Sequence, residues 1–136
     1  MDARVLEFRI PADTRYLAIV RRGVRSLAES VGFANEDVCD MELAVSEAVT
    51  NSVEHGMLDA ESGGVVVKCH ASRDCMVVEV EDQGCADSLP ASPAEPDPAQ
   101  ERGRGVIMMR TLMDEFEGSR TETGVKVRMA KQKCRC

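Results

Sequence analysis

The sequence Glu42-Leu-Ala-Val-Ser-Glu-Ala-Val-Thr-Asn-Ser-Val-Glu-His-Gly56 places Glu47, Asn51 and His55 at four-residue spacing. On an α-helix a step of four residues turns only about 40° around the axis, so these side chains form one nearly axial row. The opposite side is apolar or small and predicts a core-facing surface of Met41, Val45, Ala48, Val49 and Ser52. A carboxylate, an amide and an imidazole in one row can serve as base, metal ligand and anchor, but a solvated polar face has the same pattern.

The composition predicts a single folded domain, residues 1–136, because a chain of this length with 43% hydrophobic residues can bury a substantial core. No apolar run approaches the roughly 18 residues of a membrane span. The charged start, Met1 to Glu7, lacks the apolar segment of a secretion signal, which favours a cytoplasmic protein. The formal net charge of −7 argues against direct binding to nucleic acid.

Six cysteines lie at positions 39, 69, 75, 85, 134 and 136, without a CxxC pair. In a reducing cytoplasm we expect them to be free thiols. The spacing of Cys69, His70 and Cys75 matches no standard zinc site. The last two cysteines fall in a segment, residues 131–136, that we expect to be a flexible tail.

Apolar periodicity predicts the element order β-α-α-β-β-lid-α-β-β. The predicted strands cover residues 5–10, 65–71, 75–82, 115–117 and 125–129, and the predicted helices cover residues 17–31, 35–56 and 106–113. The lid, residues 83–102, holds four of the five prolines, and a loop of about 20 residues inside a compact domain is usually a lid or disordered. This order predicts an α+β fold, a two-layer sandwich whose mixed, mostly antiparallel sheet has its helices on one face.

The outer face of the first predicted helix carries Arg21, Arg22 and Arg25. Most such charges are simply solvated, but a basic cluster on an acidic protein is a candidate contact surface. These arginines are therefore the candidate partner surface.

Three separated pieces of sequence could together bind a nucleotide: the row from Glu47 to Asn51, Asp82-Gln-Gly84 at a strand end, and Gly103-Arg-Gly105 after the lid. An acid at a strand end can accept a hydrogen bond from the amine of adenine, and glycines let a ligand approach the backbone closely. A glycine-rich turn into a helix offers free N–H groups to phosphates. An asparagine oxygen suits Mg²⁺, and a nearby carboxylate can accept a hydroxyl proton.

This arrangement resembles the GHKL (Bergerat) ATP-binding fold, with Glu47 and Asn51 as the N box and the two glycine segments as its glycine boxes. No GxxxxGK[ST] occurs, which excludes a P-loop. Within that superfamily, Val45-Ser-Glu-Ala-Val-Thr-Asn51 and the segment from Gly105 to Glu117 look like the anti-sigma-factor serine kinases of bacterial partner switching. A sensor histidine kinase would need a phosphoacceptor histidine helix before this domain, and the only histidines are His55 and His70.

The resemblance implies a homodimeric Mg·ATP-dependent kinase that holds a sigma factor inactive and phosphorylates a serine of an STAS-domain anti-anti-sigma protein. It implies that Glu47 is the catalytic base, that Asn51 holds Mg²⁺ and that Asp82 recognises adenine. Either Arg102 or Arg104 would supply positive charge to the phosphates. The full set of implied nucleotide-binding residues is Asn51, His55, Asp82, Gly84, Arg102, Gly103, Arg104 and Gly105.

Two segments depart from the family pattern. The first glycine box usually has a second glycine where this chain has Ala86, and two threonines usually follow the glycine where Val125 and Lys126 stand. Alanine fits only where the backbone keeps a negative φ or accepts strain. Lys126 could offset some of the lost polar contact, or its strand could direct it to solvent.

These departures leave alternatives open. A non-catalytic module of the same fold could sequester a partner and bind nucleotide weakly. A thiol-based redox sensor could use the cysteines, with Cys85 beside the nucleotide site. The intact Glu47 favours the kinase.

Overall fold

The computed structural model describes residues 4–11, 13–55, 64–82, 101–120 and 125–133. Most of the predicted lid, with Gly84, Cys85 and Ala86, lies outside these residues, as does the end of the predicted tail. The strands are β1 (Arg4–Pro11), β2 (Gly64–Ala71), β3 (Cys75–Asp82), β4 (Glu115–Arg120) and β5 (Val125–Gln132). The helices are α1 (Leu17–Ser30), α2 (Asn35–His55) and α3 (Glu101–Leu112), and a 3₁₀ turn at Thr14–Tyr16 precedes α1.

The five strands form one sheet in the order β1-β2-β3-β5-β4. Every neighbouring pair among these described strands is antiparallel. The predicted α+β class with a mostly antiparallel sheet is confirmed, and the described strands contain no parallel component. Between β1 and β2 the chain passes through α1 and α2, and β2 then runs beside β1 in the opposite direction.

Alternation along the strands decides which side chains enter the core. In β3, Met76, Val78, Val80 and Asp82 are buried, while the intervening residues are only partly covered. Methionines take the place of scarce aromatics in this core, and four of them, Met41, Met76, Met109 and Met129, are fully buried. Burying such a side chain contributes about 1.5–3 kcal/mol, so these residues carry much of the packing.

Glycine permits the close approach of α1 to the edge of the sheet. A Cβ added at Gly23 would lie 2.8 Å from Cε2 of Phe8 and 3.0 Å from Cδ2 of Leu6, both on β1. The absence of a side chain therefore lets the β1 side chains fill the space beneath α1.

Helix α3 begins earlier than the sequence predicts. Glu101 and Arg102 were expected in the lid, with the glycine pair opening the helix, yet the helix includes all of these residues. Glutamate and arginine are good helix formers, and continued helical hydrogen bonding outweighs the cost of about 1 kcal/mol per glycine. None of the helices in the described part of the chain is long and apolar enough to span a membrane.

Candidate functional site

Helices α2 and α3 pack antiparallel, and two contacts fix their register. At one end, a Cβ added at Gly105 of α3 would lie 3.0 Å from Nδ2 of Asn51 and would collide with Oε2 of Glu47. At the other end, Nζ of Lys131 donates to the carbonyl of Leu112 at 2.6 Å and lies 3.3 Å from Oδ2 of Asp40. The contact at Gly105 brings the second predicted glycine segment onto the predicted polar row.

The polar row of α2 is partly covered by α3. Glu47 and Asn51 are each half-buried, while Val45, Ala48 and Val49 on the opposite side are buried in the core. His55 is the last residue of α2. The part of the row formed by Glu47 and Asn51 is therefore a half-buried edge of α2 facing α3 rather than a fully solvated face.

Asp82 ends β3 on the face of the sheet that carries the helices, and the residue is only 3% exposed. It pairs with Val65 at the start of β2, whereas Met76 at the other end of β3 lies opposite Lys131, beside Asp40. Asp82 therefore lies at the end of β3 that is away from Lys131 and Asp40.

Val125 stands where the family usually has a threonine, and it contacts Asp82 through its backbone. The N–H of Val125 donates to Oδ1 of Asp82 at 3.1 Å. This contact joins β5 to the strand-end acid without needing a hydroxyl at residue 125. The sequence carried no signal for it, because a backbone donor has the same identity at every non-proline residue.

Lys126 lies on the opposite face of the sheet from Asp82. It pairs in register with Glu81, and its Nζ lies 3.4 Å from Oε2 of Glu79. Both glutamates belong to the partly covered side of β3 that faces away from the helices. Lys126 therefore does not replace the polar contacts that the missing threonines would make beside Asp82.

The glycine segment after the lid lies within the first turns of α3. Arg102, Gly103 and Arg104 precede Gly105, which is buried. The first four N–H groups of an α-helix have no partner inside the helix, so the backbone of residues 101–104 can bind an anion. The structure thus brings Glu47, Asn51 and the start of α3 together, while Gly84 falls outside the described residues.

The predicted basic surface is divided by the structure. Arg21 and Arg22 are exposed and line a groove of about 530 Å³ with Ala18, Cys39, Glu42 and Leu43. Arg25 differs, because its Nη2 lies 2.6 Å from Oε1 of Glu42 and its Nη1 lies 3.3 Å from Oε2 of Glu29. The Glu42 hydrogen bond raises the pKa of the Arg25 guanidinium. Arg25 therefore ties α1 to α2.

Leu43 is a surface residue that the sequence did not single out. It is 53% exposed in the groove, although it sits within the segment that decides the fold. Helical spacing carried a usable signal, since position 43 falls outside the apolar face defined by Met41, Val45 and Ala48. An exposed leucine beside two arginines gives the groove both apolar and basic character.

Two of the described cysteines, Cys69 and Cys75, are suited to structural rather than reactive roles. Cys39, Cys69 and Cys75 are free thiols. Burial raises the pKa of Cys69 to about 12, and burial followed by the nearby Glu115 carboxylate raises the pKa of Cys75. A thiol must ionise to react, so both are poor nucleophiles at neutral pH. No group of three potential metal ligands occurs among the described residues, and Cys85 lies outside them.

Comparison with known sequences matches residues 10–131 to the family described as the histidine kinase-like ATPase domain. The serine-protein kinase RsbW of Bacillus velezensis is 36% identical over 93% of this chain and 84% of its own length. The enzyme of the same name from Bacillus subtilis is 32% identical over 96% of this chain and 86% of its own length. RsbW of Listeria innocua is 32% identical over 93% and 85%.

Solved structures agree on the fold. The RsbU and RsbW domains of a Mycobacterium tuberculosis protein align over 98% of this chain with a TM-score of 0.75 and 23% identity. This chain corresponds to 33% of that longer chain. A blue-light activated histidine kinase of Erythrobacter litoralis aligns over 90% of this chain, and 42% of its own, with a TM-score of 0.58 and 24% identity. The expected GHKL-type architecture is confirmed.

Proposed function

This chain belongs to the RsbW serine-protein kinases of the histidine kinase-like ATPase domain family, and on that premise we propose that it transfers the γ-phosphoryl group of ATP to a serine of a protein partner. The observation that carries the proposal is the convergence of Glu47, Asn51 and Gly105, because it unites an acid, an amide and a glycine-rich helix start. Phosphoryl transfer depends mainly on positioning and on charge stabilisation, and these groups can supply both.

The proposed chemistry assigns each group a separate task. Glu47 accepts the proton of the attacking serine hydroxyl as that oxygen forms its bond to phosphorus. Asn51 supplies an oxygen ligand to Mg²⁺, which would neutralise phosphate charge when bound. Half-burial beside α3 strengthens both interactions relative to an open surface, because nearby protein lowers the local dielectric.

The remaining proposed contacts hold the nucleotide. The carboxylate of Asp82 accepts from the exocyclic amine of adenine, and Gly84 permits close approach of the base. Backbone N–H groups at the start of α3 bind phosphates, with positive charge from Arg102 or Arg104. His55, at the end of α2, borders the phosphates or holds the helix end. Residues 1–136 act as one ATP-binding domain, with a lid at residues 83–102.

We further propose that the partners are a sigma factor and an STAS-domain anti-anti-sigma protein that compete for one surface, and that the kinase is a cytoplasmic homodimer. A groove between α1 and α2 supports a partner surface that accepts acidic and apolar side chains. It is lined by the exposed residues Arg21 and Arg22 of α1 and Leu43 of α2. Arg25 contributes there only if a partner carboxylate replaces Glu42.

The second candidate is a binding module that retains ATP without transferring phosphate. Two observations favour it: Val125 provides only a backbone contact to Asp82, and Lys126 lies on the other face of the sheet. Both reduce the polar contacts expected around adenine. They leave Glu47 and Asn51 unchanged.

The decisive experiment mixes the protein with Mg·ATP and the STAS protein encoded beside it, then measures intact masses. We expect one added phosphate on the partner and none with Glu47→Ala. Glu117→Ala is the matched control, because this exposed glutamate lies on β4. ATP binding without transfer by the unaltered protein would favour the binding module. Absence of both would leave only the fold in common with the kinases.

A further inference from the structure

The carboxylate of Glu47, the proposed base, occupies the space where any residue other than glycine at position 105 would carry its Cβ. A Cβ built there would lie 3.0 Å from Cδ of Glu47, would collide with its Oε2, and would lie 3.0 Å from Nδ2 of Asn51. Gly105 is buried inside α3, and Met109, one turn later, is fixed in the core. The helix backbone therefore forms a wall against which the Glu47 carboxylate rests.

The collision involves a movable group. Oε2 is the far end of a flexible side chain, so a methyl group at residue 105 can displace the carboxylate without moving either helix backbone. Among the described glycines, only Gly32 has a positive φ, at 87°, so the backbone of Gly105 also accepts alanine. Alanine further favours the helical state, because glycine loses more conformational freedom on folding.

We propose that Gly105 is a positioning residue that fixes the Glu47 carboxylate beside Asn51, in addition to any contact of its backbone with phosphate. This inference rests on the proposed function, because it concerns the geometry of the proposed base. A positioning role and a phosphate-binding role make different predictions for Gly105→Ala. Alanine leaves the free N–H groups at the start of α3 in place and removes only the space occupied by the carboxylate.

The test measures ATP affinity, phosphoryl-transfer rate and thermal unfolding for Gly105→Ala. We expect ATP affinity within about twofold of the unaltered protein and a kcat for phosphoryl transfer about 100-fold lower, since a displacement of about 1 Å can reduce a rate that far. The matched control is Gly118→Ala, because a Cβ at Gly118 meets no atom within 4 Å. Its kcat should not change.

A double-mutant cycle with Glu47→Asp identifies the coupling. Aspartate is one methylene shorter and withdraws the carboxylate from the added methyl group. Gly105→Ala should therefore reduce kcat much less in the Glu47→Asp background, about threefold rather than about 100-fold. Equal reductions in both backgrounds would overturn the positioning role.

A second readout does not require activity. In a Glu47→Ala background the collision is gone, so Gly105→Ala should raise the unfolding midpoint by about 4 °C. With Glu47 present, the gain should be smaller. Equal gains in both backgrounds would overturn the inference, as would lost ATP affinity with unchanged kcat. Absence of phosphoryl transfer by the unaltered protein would instead refute the proposed function, while the unfolding comparison would still test the contact.

Discussion

The two ends of the α2–α3 contact use opposite kinds of residue. At the beginning of α2, Lys131 joins Asp37, Asp40 and the last carbonyl of α3, and its side chain is only 12% exposed. Seven residues along α3 toward its start, the contact partner is Gly105, which has no side chain at all. One end is closed by a long charged side chain, while the other keeps backbone against the ends of Glu47 and Asn51.

The difference separates stability from chemistry within one helix pair. Around Lys131, opposite charges lie at salt-bridge distance and the helix C-terminus gains a cation, which is the favourable sign for its dipole. Lys133 acts similarly on α1, donating to the carbonyl of Val31 while lying over the ring of Phe33. Around Gly105, an acid and an amide are brought together, which is useful for binding and transfer. We therefore expect substitutions at the two ends to affect different measurements.

The largest expected effect is a loss of stability on Lys131→Met. This change leaves two carboxylates and a helix carbonyl without their shared donor, and we expect the free energy of unfolding to fall by about 2.5 kcal/mol. Urea unfolding followed by circular dichroism measures this loss. The ATP dissociation constant of the folded variant should remain within about twofold. Unchanged stability with weakened ATP binding would contradict the assignment of stability to the Lys131 end and of nucleotide binding to the Gly105 end.

Lys126→Met is the matched control for Lys131. Its salt bridge with Glu79 spans 3.4 Å, and its side chain is 37% exposed. Exposed pairs contribute little, so the expected loss is below about 0.5 kcal/mol. A loss equal to that of Lys131→Met would show that charge removal, rather than the buried contact, governs stability.

The second effect is a decline of stability at alkaline pH through Cys69. This buried residue of β2 pairs with Val78 of β3. The next inward-facing residue of β3 is Met76, which pairs with Lys131. The pKa of Cys69 is raised to about 12, so the folded protein keeps the proton that the unfolded chain loses above about pH 8.5. The contribution of Cys69 to the free energy of unfolding is therefore fully present below about pH 8.5. It falls as pH rises, by about 2 kcal/mol at pH 10.

Equilibrium unfolding at several pH values tests this dependence against Cys69→Ala. The alanine variant should be less stable at neutral pH because it leaves a small cavity, and its stability should decline less between pH 8.5 and 10. Cys75, whose pKa is also raised, contributes a residual slope of the same sign. Identical slopes for the two proteins would rule out Cys69 as a source of the decline.

The smallest expected effect is on nucleotide affinity through Asp82→Asn. Asparagine keeps an oxygen that can accept from the Val125 N–H but removes the negative charge, so stability should change little. We expect ATP affinity to fall about tenfold, or about 1.4 kcal/mol, measured by calorimetry. A loss of stability without a change in ATP affinity would show that Asp82 has a structural role rather than a role in nucleotide binding.

Much of the candidate site was predictable from the sequence. The row from Glu47 to Asn51 and its placement opposite an apolar face followed from helical spacing, and the position of Asp82 at a strand end followed from alternation. The tie between Arg25 and Glu42 was not predictable, because the two residues are 17 positions apart and meet only when α1 packs on α2. The early start of α3 was also missed, since glycines at positions 103 and 105 predicted a turn.

Local periodicity alone determined which elements form and which residues share a face, because helical and strand repeats are properties of neighbouring residues. The family resemblance came from the same segments. Only the tertiary structure decided that Gly105 lies against Glu47, that Lys126 faces away from Asp82, and that Lys131 closes the other end of the helix pair. Such contacts join residues distant in sequence, and their geometry depends on how whole helices and strands pack together.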